Sequence, residues 1–143
     1  MTNSAMPLAL ILSALVFLPG ANAQEISIEP GEWRYSVNGL LGLFPLTEDG
    51  TECVSPDEAT ADLQELVDGL GAECTLENAK RVGNNITASV ACEGALPIEA
   101  DVDITATSTK ADIKVVGTMS TGGSTEFPVN LNATAERLGS CRG

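Results

Sequence analysis

The sequence predicts a mainly β domain with one helix. About seven antiparallel strands form a curled, partly closed meander sheet, with one amphipathic helix after the second strand and two disulfides. Three observations carry this. Apolar residues recur with period two over most of the chain. One stretch switches to helical spacing behind a capping signal. The four cysteines are even in number and sit in a chain that opens on an export-type segment.

That segment runs from Leu8 to Leu18, is almost wholly apolar, and is broken by Pro19-Gly20. Ala21-Asn22-Ala23 follows with small-x-small character, so residues 1–23 read as a signal peptide cleaved after Ala23. The run is about 11 residues long, against the ~20 needed to span a membrane. Residues 24–143 then form a single disulfide-stapled domain, expected in an oxidising compartment outside the cytoplasm, with no membrane span.

The strands follow in order. In Glu32 to Asn38, Trp33, Tyr35 and Val37 share one face while Arg34 and Ser36 share the other. Ile86, Ala88, Val90 and Cys92 alternate with Thr87 and Ser89. Leu96, Ile98, Ala100, Val102, Ile104 and Ala106 alternate with Glu99, Asp101, Asp103 and Thr105. Ile113, Val115, Gly117 and Met119 make a further strand, and Phe127, Val129, Leu131, Ala133 and Ala135 another. One apolar and one polar face per strand is the pattern of an antiparallel sheet with one wet side. Turns are expected at Glu48-Asp49-Gly50, Gly83-Asn84-Asn85, Ser108 to Ala111 and Gly122-Gly123.

The helix is expected to start at Ser55, with Pro56 in the first helical position and Glu58 closing a capping box. Leu63, Leu66, Val67 and Leu70 form its apolar stripe, and Gly69 and Gly71 end it.

Four cysteines allow three pairings. Cys74 and Cys92 lie nine residues either side of Gly83 and share the parity of the apolar positions, Leu76 and Val82 with Cys74, Ile86 and Val90 with Cys92. Spacing therefore favours Cys74 with Cys92 across a hairpin, leaving Cys53 with Cys141. The alternative joins Cys53 to Cys74 and Cys92 to Cys141. Zinc ligation is disfavoured, because there is no His and no C-x-x-C.

The chain opens its first strand with Pro30-Gly31-Glu32-Trp33, continues through Cys53-Val54-Ser55-Pro56-Asp57-Glu58, and closes with Arg137-Leu138-Gly139-Ser140-Cys141. In this order, with Cys74 and Cys92 between, it resembles the bacterial periplasmic family catalogued as domain of unknown function 3617. The likeness covers essentially all of the chain after residue 23. The sequence departs from the family in having Asp-Glu after Pro56, and in carrying fewer Met and Gly in its later strands. The resemblance implies a Gram-negative envelope protein without assigned activity, and it brings no catalytic residues.

Composition narrows the chemistry. Twenty acids against seven bases give a net charge of −13, which argues against nucleic acid as a partner. Without His, the commonest general base is missing. No G-x-S-x-G or S-x-x-K sequence occurs. No enzyme and no cofactor are expected. Glu99, Asp101 and Asp103 lie two apart on one strand face, and Glu48, Asp49 and Glu52 form a second acidic group. Either would offer hard oxygens to Ca²⁺, although solvated acidic faces are the expectation. Trp33 and Tyr35 are expected in the core. The leading functional expectation is a non-catalytic module whose Ala-rich inner face (Ala88, Ala100, Ala106, Ala133, Ala135) leaves room for a small apolar ligand. The alternative is an envelope-protein interaction module that uses a strand edge or an acidic face.

Overall fold

A computed structural model of the chain describes residues 23–68, 73–121 and 123–142. The expected signal peptide lies outside the described residues but for Ala23, as do Gly69, Leu70 and Gly71 at the expected helix end, and Gly122. The elements are β1 (Glu25–Ser27), β2 (Gly31–Leu41), β3 (Phe44–Val54), β4 (Thr60–Asp62), α1 (Leu63–Asp68), β5 (Glu73–Val82), β6 (Asn85–Glu93), β7 (Ile98–Ala106), β8 (Lys110–Ser120) and β9 (Glu126–Gly139).

Seven strands form one antiparallel sheet in the order β3-β2-β9-β8-β7-β6-β5, and β1 pairs with β4 in a separate ribbon. Period-two alternation carries straight through the register. Val37, Ala133, Ile113, Ile104 and Ile86 lie opposite one another across five strands, giving one continuous apolar row. Leu63 of α1 packs on Ile86 and Ile104, and Ile26 of β1 packs against the same cluster. The helix and ribbon thus cover the apolar face over β5 to β8. The sheet is open rather than partly closed: among the described residues β3 and β5 are its two edges. A face already covered by α1 and β1 does not need the sheet to wrap onto itself.

Four local expectations are corrected. Glu48, Asp49 and Gly50 lie inside β3, paired with Val37, Ser36 and Tyr35, and the turn falls at Gly42-Leu43 instead. Ser55 and Glu58 do bond, with Ser55 N and Oγ both donating to Glu58 Oε2 at 2.9 and 3.0 Å, but Glu58 N donates to the Ser55 carbonyl rather than to its hydroxyl, and together they close a turn. Residues 60–62 then pair with β1, so the helix waits until Leu63, where Asp62 Oδ1 accepts from Gln64 N at 2.8 Å as the true cap. Leu63 and Val67 are buried while Leu66 is exposed. Leu96 is an exposed loop residue, because β7 starts only at Ile98.

The fourth correction concerns Val82, expected on the inner face and found 78% exposed. Two residues of β5, Asn78 and Ala79, stand against the single residue Ala88 of β6. Asn78 takes φ 56°, so this is a bulge with Asn in the left-handed position. Beyond it the alternation flips: Cys74 and Leu76 point inward before the bulge, Ala79 and Arg81 after it. The disulfides are Cys74–Cys92 and Cys53–Cys141, with Cα atoms 4.0 and 5.5 Å apart. They close loops of 18 and 88 residues, for which the chain-entropy model gives roughly 3 and roughly 4.6 kcal/mol.

Candidate functional site

The two sequence motifs that flank the sheet meet, and they meet as structure. Trp33 is 3% exposed, and its indole Nε1 donates to Glu29 O at 2.9 Å. Arg137 Nε donates to Pro30 O at 2.9 Å, and its Nη2 lies 3.7 Å from Glu29 Oε1. Gly31 holds φ 147°, and a Cβ there would run into Gly139 O. Cys141 then ties the segment after β9 to Cys53 on β3. These groups clasp β2, β3 and the end of the chain, and their polar atoms are occupied in doing so.

The acidic strand positions Glu99, Asp101 and Asp103 stay spread along β7. Asp101 Oδ1 accepts from Ser89 Oγ at 3.0 Å, and Asp103 Oδ1 from Asn85 Nδ2 at 2.7 Å. Among the described residues no three His, Cys, Asp or Glu side chains gather as a metal site. Of the Ala-rich face, Ala88 and Ala100 are buried, while Ala106, Ala133 and Ala135 are half-buried. An open groove of about 660 Å³ lies instead on the polar face, along Arg34, Ser36, Asp49, Lys110, Asp112 and Glu136. Its charges are of both signs and all open to solvent, so it favours no ligand class.

The residues that remain available are at the β3 edge. The register sets Trp33 opposite Glu52, Tyr35 opposite Gly50 and Val37 opposite Glu48, which places Glu48, Gly50 and Glu52 on the face of Tyr35. Gly50 has no side chain, and the Tyr35 ring fills that space: a Cβ on Gly50 would sit 2.9 Å from the Tyr35 hydroxyl. The hydroxyl donates to Glu48 Oε1 at 3.5 Å. The Glu48 carboxylate is the main cause that raises the Tyr35 phenol above its ordinary value of 10.0, with desolvation, Glu52 and Asp49 adding to it. Glu48, Asp49 and Glu52 are exposed. Among the described residues none of the three forms a salt bridge.

Toward the turn the same strand face becomes apolar. Phe44 is 73% exposed and Leu46 36%, with Leu43 at 72% in the turn itself. No charged residue occurs from Leu40 to Thr47. The backbone of this edge is open as well. Gly42 N donates to Pro128 O, so even-numbered residues of β2 bond toward β9 and odd-numbered ones toward β3. Given the register, Pro45, Thr47, Asp49, Thr51 and Cys53 of β3 turn their main-chain groups outward. Pro45 sits where a missing N–H costs no ladder bond. The other edge, β5, is bent by its bulge and carries Lys80, Arg81 and Glu77, which is how sheets blunt an edge.

The sequence had singled out Tyr35, and separately Glu48, Asp49 and Glu52. What it lacked was the register that joins them, which depends on a turn at Gly42 rather than at Gly50. Residues 28–141 match the family described as Protein of unknown function (DUF3617). No curated protein and no solved structure matches the chain.

Proposed function

The chain belongs to that family of unknown function, and from this premise we propose that it is a non-catalytic, exported binding module that holds an extended segment of an envelope protein along β3. The observation that carries the reading is the β3 edge itself: 11 residues long, unbulged, exposed along almost its whole length, and open on one side. Unpaired strand edges are templates for an added strand. Two disulfides suit an oxidising compartment, and the apolar segment from Leu8 to Leu18 supports export. A small apolar ligand is the weaker reading, because Ala88 and Ala100 are packed away.

The test is amide chemical-shift mapping with a panel of nine-residue strand-forming peptides spanning positive, neutral and negative charge. Binding should shift the outward amides of Thr47, Asp49 and Thr51 and leave β5 amides unmoved. If no peptide of any charge moves those amides, the edge reading fails.

A further inference from the structure

The occupant of this edge has a chemistry that can be read from β3, given that β3 is the binding edge. On the Tyr35 face the strand presents, in order, Phe44, Leu46, Glu48, Gly50 and Glu52. Its turn-proximal part is apolar and exposed, and its far part is anionic, with no salt bridge to Glu48 or Glu52 among the described residues. We propose that β3 binds an antiparallel strand bearing Lys or Arg opposite Glu52 and Glu48, and apolar residues opposite Leu46 and Phe44. Because same-face residues recur every second position, the matching segment is cation-x-x-x-cation-x-apolar-x-apolar. The position opposite Gly50 lies beside the Tyr35 ring, whose hydroxyl is held by Glu48.

Two other occupants fit worse. A second copy paired antiparallel about Gly50 would set Glu48 against Glu52 of the copy, and like charges directly opposite destabilise a sheet. Each copy also carries −13. A lipid surface would have to accept that charge through a tip without a single Lys or Arg between Leu40 and Thr47. The acids therefore act as a selector, disfavouring that pairing with a second copy and favouring a cationic strand.

The experiment uses isothermal titration of the full mature chain with the acetylated, amidated peptide Lys-Thr-Val-Thr-Lys-Thr-Leu-Thr-Leu at 0.15 M salt. Three companions are titrated alongside: both Lys as Gln, both Lys as Glu, and the Lys peptide N-methylated at alternate amides on the pairing side. Two facing charge pairs should give the Lys peptide about a 2- to 30-fold advantage over the Gln peptide. The Glu peptide should be weaker still, and the N-methylated peptide should not bind. The double variant Glu48→Gln/Glu52→Gln, at exposed positions and checked for an unchanged melt, should erase the Lys advantage. Equal binding of the Lys and Gln peptides overturns the cationic occupant while leaving the edge reading standing. Binding of the N-methylated peptide as strong as its parent overturns it too, since that is loose attraction without strand pairing. Failure of all four peptides, or dimerisation of the free chain through β3 in sedimentation, removes it along with the edge reading.

Discussion

Cys74 lies directly opposite Cys92 only because Asn78 interrupts β5. The two-residue Gly83-Asn84 turn pairs Val82 with Asn85, and an unbroken ladder from there would face Cys74 with Glu93. The bulge at Asn78 takes up one residue, so the register beyond it brings the two cysteines together with Cα atoms 4.0 Å apart. One left-handed residue therefore chooses the disulfide.

Deleting Asn78 should leave Cys74 and Cys92 on opposite faces of neighbouring positions. Thiol titration of the denatured, unreduced variant is expected to find two free thiols or mispaired product, where the parent chain shows none. Asn78→Gly keeps the φ and should melt within a few degrees of the parent. Asn78→Val should be destabilised by about 1–2 kcal/mol, the cost of a left-handed conformation for a residue with a branched Cβ. A Val variant as stable as the Gly variant would mean the bulge does not need that conformation.

Arg137 joins Pro30 and Glu29 from the far end of the chain. Arg137→Ala should lower unfolding free energy by about 1–3 kcal/mol, measured in denaturant, because Pro30 O loses a charged donor in a part-buried site. Trp33→Phe leaves Glu29 O without its indole donor and should cost about 1 kcal/mol. An Arg137→Ala variant as stable as the parent would show that the clasp contributes nothing.

The chain has one tyrosine, so its phenolate absorbance reports Tyr35 alone. The titration midpoint should lie above 10.0 and fall back toward it in Glu48→Gln, the carboxylate that raises it most. A group whose proton is held more tightly in the folded state stabilises the fold below its unfolded value and loses that contribution as pH rises through its folded value. Stability should therefore decline above pH 10 more steeply in the parent than in Tyr35→Phe. A Glu48→Gln midpoint equal to that of the parent would contradict the hydroxyl–carboxylate contact.

Glu58 works in the opposite direction. Bonds from the Ser55 backbone and side chain hold its carboxyl below the ordinary 4.5. Its contribution is present above the unfolded value and is lost as pH falls through the folded one. Glu58→Gln should flatten the part of the acid melt below about pH 4.5, and Ser55→Ala should do the same. An acid limb unchanged in both variants would show that this turn is not held by the ionised carboxyl.

Salt should raise the melting temperature at pH 7, because −13 on a small domain repels itself and added ions screen it. Calcium should add nothing beyond magnesium at equal ionic strength. Asp101 and Asp103 are occupied by Ser89 and Asn85 rather than converging on a shared point. A calcium-specific rise at sub-millimolar concentration would revive the β7 ladder as a site.

The strands were legible because alternation survives wherever one face meets a core. Val37, Ile86, Ile104 and Ile113 all stand where their parity puts them. Alternation fails where the backbone adds a residue, and no side-chain pattern marks Asn78 as that residue. This is why Val82 was read on the wrong face. The capping box at Ser55 and Glu58 was legible as chemistry but not as a helix start, since its bonds form equally well around a single turn. What overrode the helix was pairing of residues 60–62 with β1, a contact 33 to 37 residues distant that local spacing does not encode. The β3 edge was hidden for a similar reason. Asp-Gly is a strong turn signal, and only the pairing of Gly50 with Tyr35 shows that its missing side chain makes room for a ring.

The position of β9 governs the order in which the molecule can be built. Among the described strands it comes last in sequence, yet it lies between β2 and β8 in the sheet. Before it arrives, β2 and β3 are a lone hairpin, which is marginal in water, and β5 to β8 are a meander with an open flank at β8. Loop closure across almost the whole domain must precede the joining of these halves, a demand that slows folding. A chain emerging N-terminus first from a channel would thus stay uncommitted until its final strand was free. Seating that strand is what brings Cys141 beside Cys53, so the native pairing of these two cysteines is favoured most once β9 is in place.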